Sequence, residues 1–169
     1  MAKTNNLKYG ECVNYYEGVI VEDRGDVVTL DVKGRLGYYE LSRDMFIAEY
    51  PFKLGQEVGW KMSFFEQLPS DAPTEYTEGV FNEDDHTFYF EGTVCLVEDC
   101  AISVDIKNGR GFMKSPKRML ISDTEFELGQ TVGWNMTKLV QISAEANEKY
   151  VSNIHNREKR AIEISNRNN

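Results

Sequence analysis

FKLGQEVGWKM, Phe52 to Met62, and FELGQTVGWNM, Phe126 to Met136, agree at eight of eleven positions and lie 74 residues apart in one chain of 169. Chance does not readily produce such a match. The same offset extends outward without a gap, aligning Glu17 to Leu68 with Glu91 to Ile142. It pairs Gly18 with Gly92, Asp31 with Asp105, Lys33 with Lys107, Gly37 with Gly111 and Met45 with Met119. The chain is a tandem duplication, and self-similarity at a fixed period outranks length as a guide to architecture. The repeats are expected at 8–68 and 79–142. Between them PSDAPTEYTE, 69–78, reads as a linker, with two prolines in polar, acidic company.

Within each repeat the hydrophobic period is two. VVTLDV places Val28, Leu30 and Val32 on one face and Thr29 and Asp31 on the other; Ile102, Val104 and Ile106 alternate in the same way with Ser103 and Asp105. In the opening block, Val58, Trp60 and Met62, or Val132, Trp134 and Met136, share one face, which makes both tryptophans core residues. YYEGVIV and FYFEGTVCLV are aromatic and β-branched around a glycine suited to a bend or bulge. KGRLG (33–37) and KNGRG (107–111) carry glycines where the next hairpin turns. About five short strands per repeat suffice to close a small barrel. The tail, 143–169, changes period: Tyr150, Ile154, Glu158 and Ile162 fall four apart, predicting a helix with Ser143 as N-cap and a frayed end. This helix is expected to pack on the second repeat or to mediate self-association.

Composition excludes several classes. With 41% hydrophobic and 12% aromatic residues the chain is too rich in core formers for disorder, and no run approaches the roughly 18 apolar residues of a membrane span. The first residues hold no apolar stretch of a secretory signal, so a soluble, cytoplasmic protein is expected. Cys12, Cys95 and Cys100 lack metal or disulfide spacing and read as small buried residues. A net charge of -9, from 28 acidic and 19 basic side chains, disfavours indiscriminate attraction to nucleic acid or anionic membrane.

From Gly18 through Gly25, Val28, Leu30, Gly34, Gly37 and Leu41-Ser42 to Leu54-Gly55-Gln56-Glu57-Val58, the first repeat resembles the S1 RNA-binding domain, an OB-fold barrel. The order KGRLG, then a hydrophobic strand, then LGQEVGW is also similar to small bacterial two-repeat proteins, a likeness that implies a fold and no activity. The S1 resemblance implies a nucleic-acid ligand on an aromatic strand face, where stacking contributes about 1–3 kcal/mol per base. The sequence departs from that pattern. Arg24-Gly25-Asp26 and Glu98-Asp99-Cys100 stand where S1 domains carry an aromatic turn, leaving Tyr38, Tyr39 and Phe112 as the aromatic candidates, with one residue of each strand pair turned inward.

The strongest local signal is in the second repeat, where Lys107, Arg110, Lys114, Lys117 and Arg118 fall between Ile106 and Ser122 without one acid. Beside Phe112 they form a candidate nucleic-acid or polyanion contact, or else a solvated hairpin that pairs with the acidic first repeat. Asp31 and Asp105, on outward strand positions, either read a ligand's hydroxyl or amine, or cap the hairpin backbone or pair with Lys33 and Lys107 across it. Asp84-Asp85-His86 puts acids beside one of two histidines, the other being His155, but brings no second imidazole for a metal. DIKNGRG (105–111) weakly resembles the ligand turn of PilZ cyclic-dinucleotide sensors, whose R-x-x-x-R arm is missing, Arg110 and Lys114 being its nearest approach. No nucleophile has a recognisable base, no glycine loop cradles phosphate, and no carboxylate pair has a placed role.

The expectation is therefore an all-β protein of two tandem small five-stranded β-barrels, OB/S1-like or SH3-like, with a C-terminal α-helix. Its expected role is non-enzymatic, with neither metal nor cofactor. It is to bind RNA or single-stranded nucleic acid through the second barrel. The alternatives are a protein-interaction or homodimerisation module using the tail helix, and a PilZ-like sensor.

Overall fold

The computed structural model describes residues 7–68, 81–82, 86–122 and 124–167; the expected linker lies outside them. The protein is mostly β. The first repeat forms β1 (Asn14–Asp23), β2 (Val27–Val32), β3 (Gly37–Ser42), β4 (Phe46–Ile47), β5 (Gln56–Met62) and β6 (Phe65–Gln67). The second forms β8 (Thr87–Val97), β9 (Ala101–Ile106), β10 (Gly111–Pro116), β11 (Leu120–Ile121), β12 (Thr131–Met136) and β13 (Leu139–Ala146), preceded by the short β7 (Phe81–Asn82). Among the described residues one α-helix, α1 (Glu148–Arg167), follows the strands.

All thirteen strands belong to one sheet. β1, β2 and β3 form an antiparallel meander, as do β8, β9 and β10, and the two meanders join through β3 and β10. The register there is Gly111 with Leu41, Phe112 with Glu40, Met113 with Tyr39 and Lys114 with Tyr38. Shifting every residue by 74 exchanges Phe112–Glu40 with Tyr38–Lys114 and returns Met113–Tyr39 to itself, so the repeats are related by a pseudo-two-fold axis at Tyr39 and Met113. On the other side β5 meets β12 at Met62 and Met136, which are also equivalent residues. That pairing closes the ring unevenly, through a single register pair.

The last strand of each repeat crosses to the other. β6 pairs with β12 and, in parallel, with β11; β13 pairs with β5 and, in parallel, with β4. The crossing is pinned by equivalent bonds: Ser63 N donates to Asn135 O at 2.8 Å and Thr137 N to Lys61 O at 2.9 Å. Glycine makes the β3–β10 joint possible. Gly37 and Gly111 sit at φ +127° and +141°, and a Cβ on either would come within 2.0 Å of the backbone oxygen of Lys114 or Glu40.

Both tryptophans are buried as expected, Trp60 between Tyr16 and Tyr39, Trp134 between Phe65 and Phe90. The glycines of β1 and β8 make room for them: a Cβ on Gly18 would lie 3.2 Å from the Trp60 ring and one on Gly92 3.3 Å from that of Trp134. The bulges expected at these glycines fall three residues later, at Val21 and Cys95, where the register with β2 and β9 slips. Cys95 is thereby turned outward. All three cysteines are exposed, contrary to the burial expected of them.

Three expectations for the tail change. Ser143 is not a helix cap, because β13 runs on to Ala146, held to the first repeat by Gln141, which exchanges two 2.9 Å bonds with the Tyr50 backbone. The helix starts five residues later, with Asn147 Oδ1 accepting from Lys149 N at 3.0 Å. It docks on the first repeat, not the second: Val151 packs on Gly55, Lys33 lies over the Tyr150 ring, and Arg157 pairs with Asp31 at 2.9 Å. Ile154, midway between Val151 and Arg157 on the helix, and outward-facing Val19, flanked in the sheet by Asp31 and Glu57, are both buried outside the main core. The equivalent row in the second repeat is Asp105, Thr93 and Thr131, polar throughout. No described helix is long and apolar enough to cross a membrane.

Candidate anion-binding surface and cleft

The basic stretch of the second repeat does not form one patch. Lys107, in the turn Lys107–Gly109, and Arg110 precede β10; Lys117 and Arg118 follow it in the turn Lys117–Met119. The six residues of β10 separate Arg110 from Lys117, on the order of 20 Å at about 3.3 Å per extended residue. Three of the five cations are neutralised: Lys107 by Glu91 at 2.9 Å, Lys114 by Glu98 at 3.0 Å, and Arg110 by Asp44 across the repeat boundary. Lys117 and Arg118 make no ion pair with another described residue, and Arg118 is exposed.

Phe112 and Lys114 face outward from β10, half-buried, while Met113 and Ser115 point into the core. On β3, Tyr38 is outward and Tyr39 fully buried, its hydroxyl 3.0 Å from Ser115 Oγ. One residue of each pair is inward, as the parity demanded. The sheet register sets Phe112 between Asp105 and Glu40, and Tyr38 between Lys114 and Asp31. Aromatic and basic groups thus share the outer face with carboxylates.

The expected Asp31–Lys33 and Asp105–Lys107 pairs do not form. Lys33 is held by Glu17 and Glu57 at 2.9 and 2.8 Å, and Lys107 by Glu91, because each lysine points back across its strand toward β1 or β8. Burial opposes the Lys33 charge, but its bonds to Glu57 and Glu17 outweigh that and raise its pKa; the same contact lowers that of Glu17. His155 is exposed on α1 and His86 stands at φ +58°, while Asp84 and Asp85 lie outside the described residues. Although Cys95 is exposed as a residue, partial desolvation of its thiol, reinforced by Asp105, raises the thiol pKa and so lowers its reactivity at neutral pH.

Where the repeats meet, a cleft of about 220 Å³ opens beside the Arg110–Asp44 pair. Met45 and Phe90, both buried, form its floor; Phe88 flanks them, and Arg110, Asp44, Thr137 and Lys138 stand around it. Lys138 lies outside the basic stretch and is absent from the residues that sequence reasoning selected. The signal that finds it is a change of polarity between equivalent positions: Leu36 becomes Arg110, and Phe64 becomes Lys138. Comparison with protein-family models and with curated protein sequences gives no match to this chain.

Proposed function

We propose that the chain works by binding, with single-stranded nucleic acid, RNA foremost, contacted by the second repeat. Each repeat is taken as an OB/S1-like unit whose sheet is completed by strands of the other. The observation that carries the proposal is the end of β10, where Lys117 and exposed Arg118 sit without an ionic partner among the described residues, in line with Lys114 and outward Phe112. Cations tracking a backbone beside an aromatic face are the elements of single-strand recognition. The surrounding carboxylates confine the contact to this edge. A gel shift with a single-stranded RNA oligomer should weaken steeply with salt. Replacing Lys114, Lys117 and Arg118 by Ser should make the log–log salt slope shallower by about 2, at roughly 0.7 per phosphate contact. Absence of a shifted band at low salt excludes the reading.

The tail helix supports a second reading, self-association. Residues 155–167 are exposed throughout, and Ile162 and Ile164 keep 62% and 49% of their surface in solvent. Sedimentation of the full chain should show a dimer that Ile162→Glu with Ile164→Glu dissociates. A monomer in both proteins rules self-association out.

A further inference from the structure

We propose that the cleft between the repeats binds a small organic anion, its charged head held by Arg110 and Lys138 and its apolar body laid on Phe88, Phe90 and Met45. The site goes beyond the nucleic-acid reading and stands without it, since it uses the opposite end of β10 from Lys117 and Arg118.

The duplication supplies an internal control. At the positions equivalent to Arg110 and Lys138 the first repeat has Leu36, packed against the core, and half-buried Phe64. The fold is satisfied there by apolar side chains, so two cations at these places in the second repeat are not a requirement of the architecture. The apolar floor is common to both repeats, Phe90 and Met45 standing at positions equivalent to buried Tyr16 and Met119. The result is a buried hydrophobic floor under two positive charges, the pattern that accepts an amphiphilic anion. Asp44 is the one acid among the described residues of the lining; 61% of its side chain is exposed, so a carboxylate or phosphate head can compete with it for Arg110 in water. A volume near 220 Å³ is below the ~300 Å³ at which sites for drug-sized ligands begin, which limits the ligand to a single ring or a short chain.

The test is a titration of the full-length, isotope-labelled protein by NMR with phenyl phosphate, inorganic phosphate and benzyl alcohol. Phenyl phosphate should shift the amides of Phe88, Phe90, Arg110, Thr137 and Lys138 at millimolar concentration, and bind more tightly than either inorganic phosphate or benzyl alcohol. Arg110→Leu and Lys138→Phe, which install the residues of the first repeat, should each weaken it about tenfold, a loss typical of one charge-assisted contact. The proposal is overturned by an absence of shifts, by shifts confined to Lys114, Lys117 and Arg118, or by unchanged affinity in both folded variants. If either variant unfolds, the wild-type map with the three probes decides alone. Failure of the RNA gel shift leaves this result untouched, and the reverse also holds.

Discussion

Asp44 reports on the joint between the repeats. The hydrogen bond from Arg110 holds its carboxyl below the ordinary range; burial works the other way, and Ser42 and the charge of Lys138 add to the lowering. A carboxylate with a depressed folded pKa contributes stability that is present above its unfolded value of about 3.9 and is lost as pH falls through the folded value. An NMR titration should therefore place the Asp44 midpoint below ~3.9 in the wild type and back near it in Arg110→Leu. Asp44 is largely exposed and Arg110 partly so, so removal of the pair should barely move the melting temperature. A midpoint unchanged by Arg110→Leu would show that another group sets it. Equivalent residues can also share a defect. The buried polar side-chain atoms without a partner among those described are Thr29 Oγ1 and Ser103 Oγ, Trp60 Nε1 and Trp134 Nε1. They form two equivalent pairs, so these unmade bonds belong to the repeat itself and not to accidents of either copy.

Among the elements, α1 shows how one substitution selects a docking surface. Both repeats offer a glycine turn at positive φ, Gly55 and Gly129, but only Gly55 has a helix residue against it. The outward row of the first repeat carries buried Val19, and that of the second carries Thr93, so only the first offers a helix an apolar side chain in place of a hydroxyl. Val19→Thr should release the helix locally, at a cost of about 1–2 kcal/mol. Hydrogen exchange of the 148–156 amides should then accelerate roughly tenfold, with the sheet amides unaffected. Equal acceleration across the sheet would mean that the helix is integral to the core. A 20-residue helix is about 30 Å long, and its second half runs beyond the surface that holds it.

At the scale of the whole molecule, each repeat lends its last strand to the other and joins it again through β3 and β10. Unfolding one repeat would strip paired strands from its neighbour. Calorimetry should give a single transition whose calorimetric and van't Hoff enthalpies agree. Two resolved transitions would show that the repeats unfold as independent barrels. The same exchange creates the cleft, because Thr137 and Lys138 enter the first repeat's side of the molecule just before β13.

The 74-residue offset, the strand parity, the buried tryptophans, the hairpin turns and the C-terminal helix were all legible along the chain, since each depends on residues a few positions apart. The inward placement of Tyr39 beside outward Tyr38 followed from alternation alone. What parity and composition do not contain is which edge meets which. Pairing of β3 with β10, exchange of β6 and β13, and seating of α1 on the first repeat depend on contacts between distant segments. An acid-free run looked like one basic patch because its partners, Asp44, Glu91 and Glu98, come from elsewhere in the sequence. Sequence alone determined that this protein is a duplicated β structure; tertiary structure decided where its charges cancel and where two of them face a cleft, because charge pairing depends on distance in space.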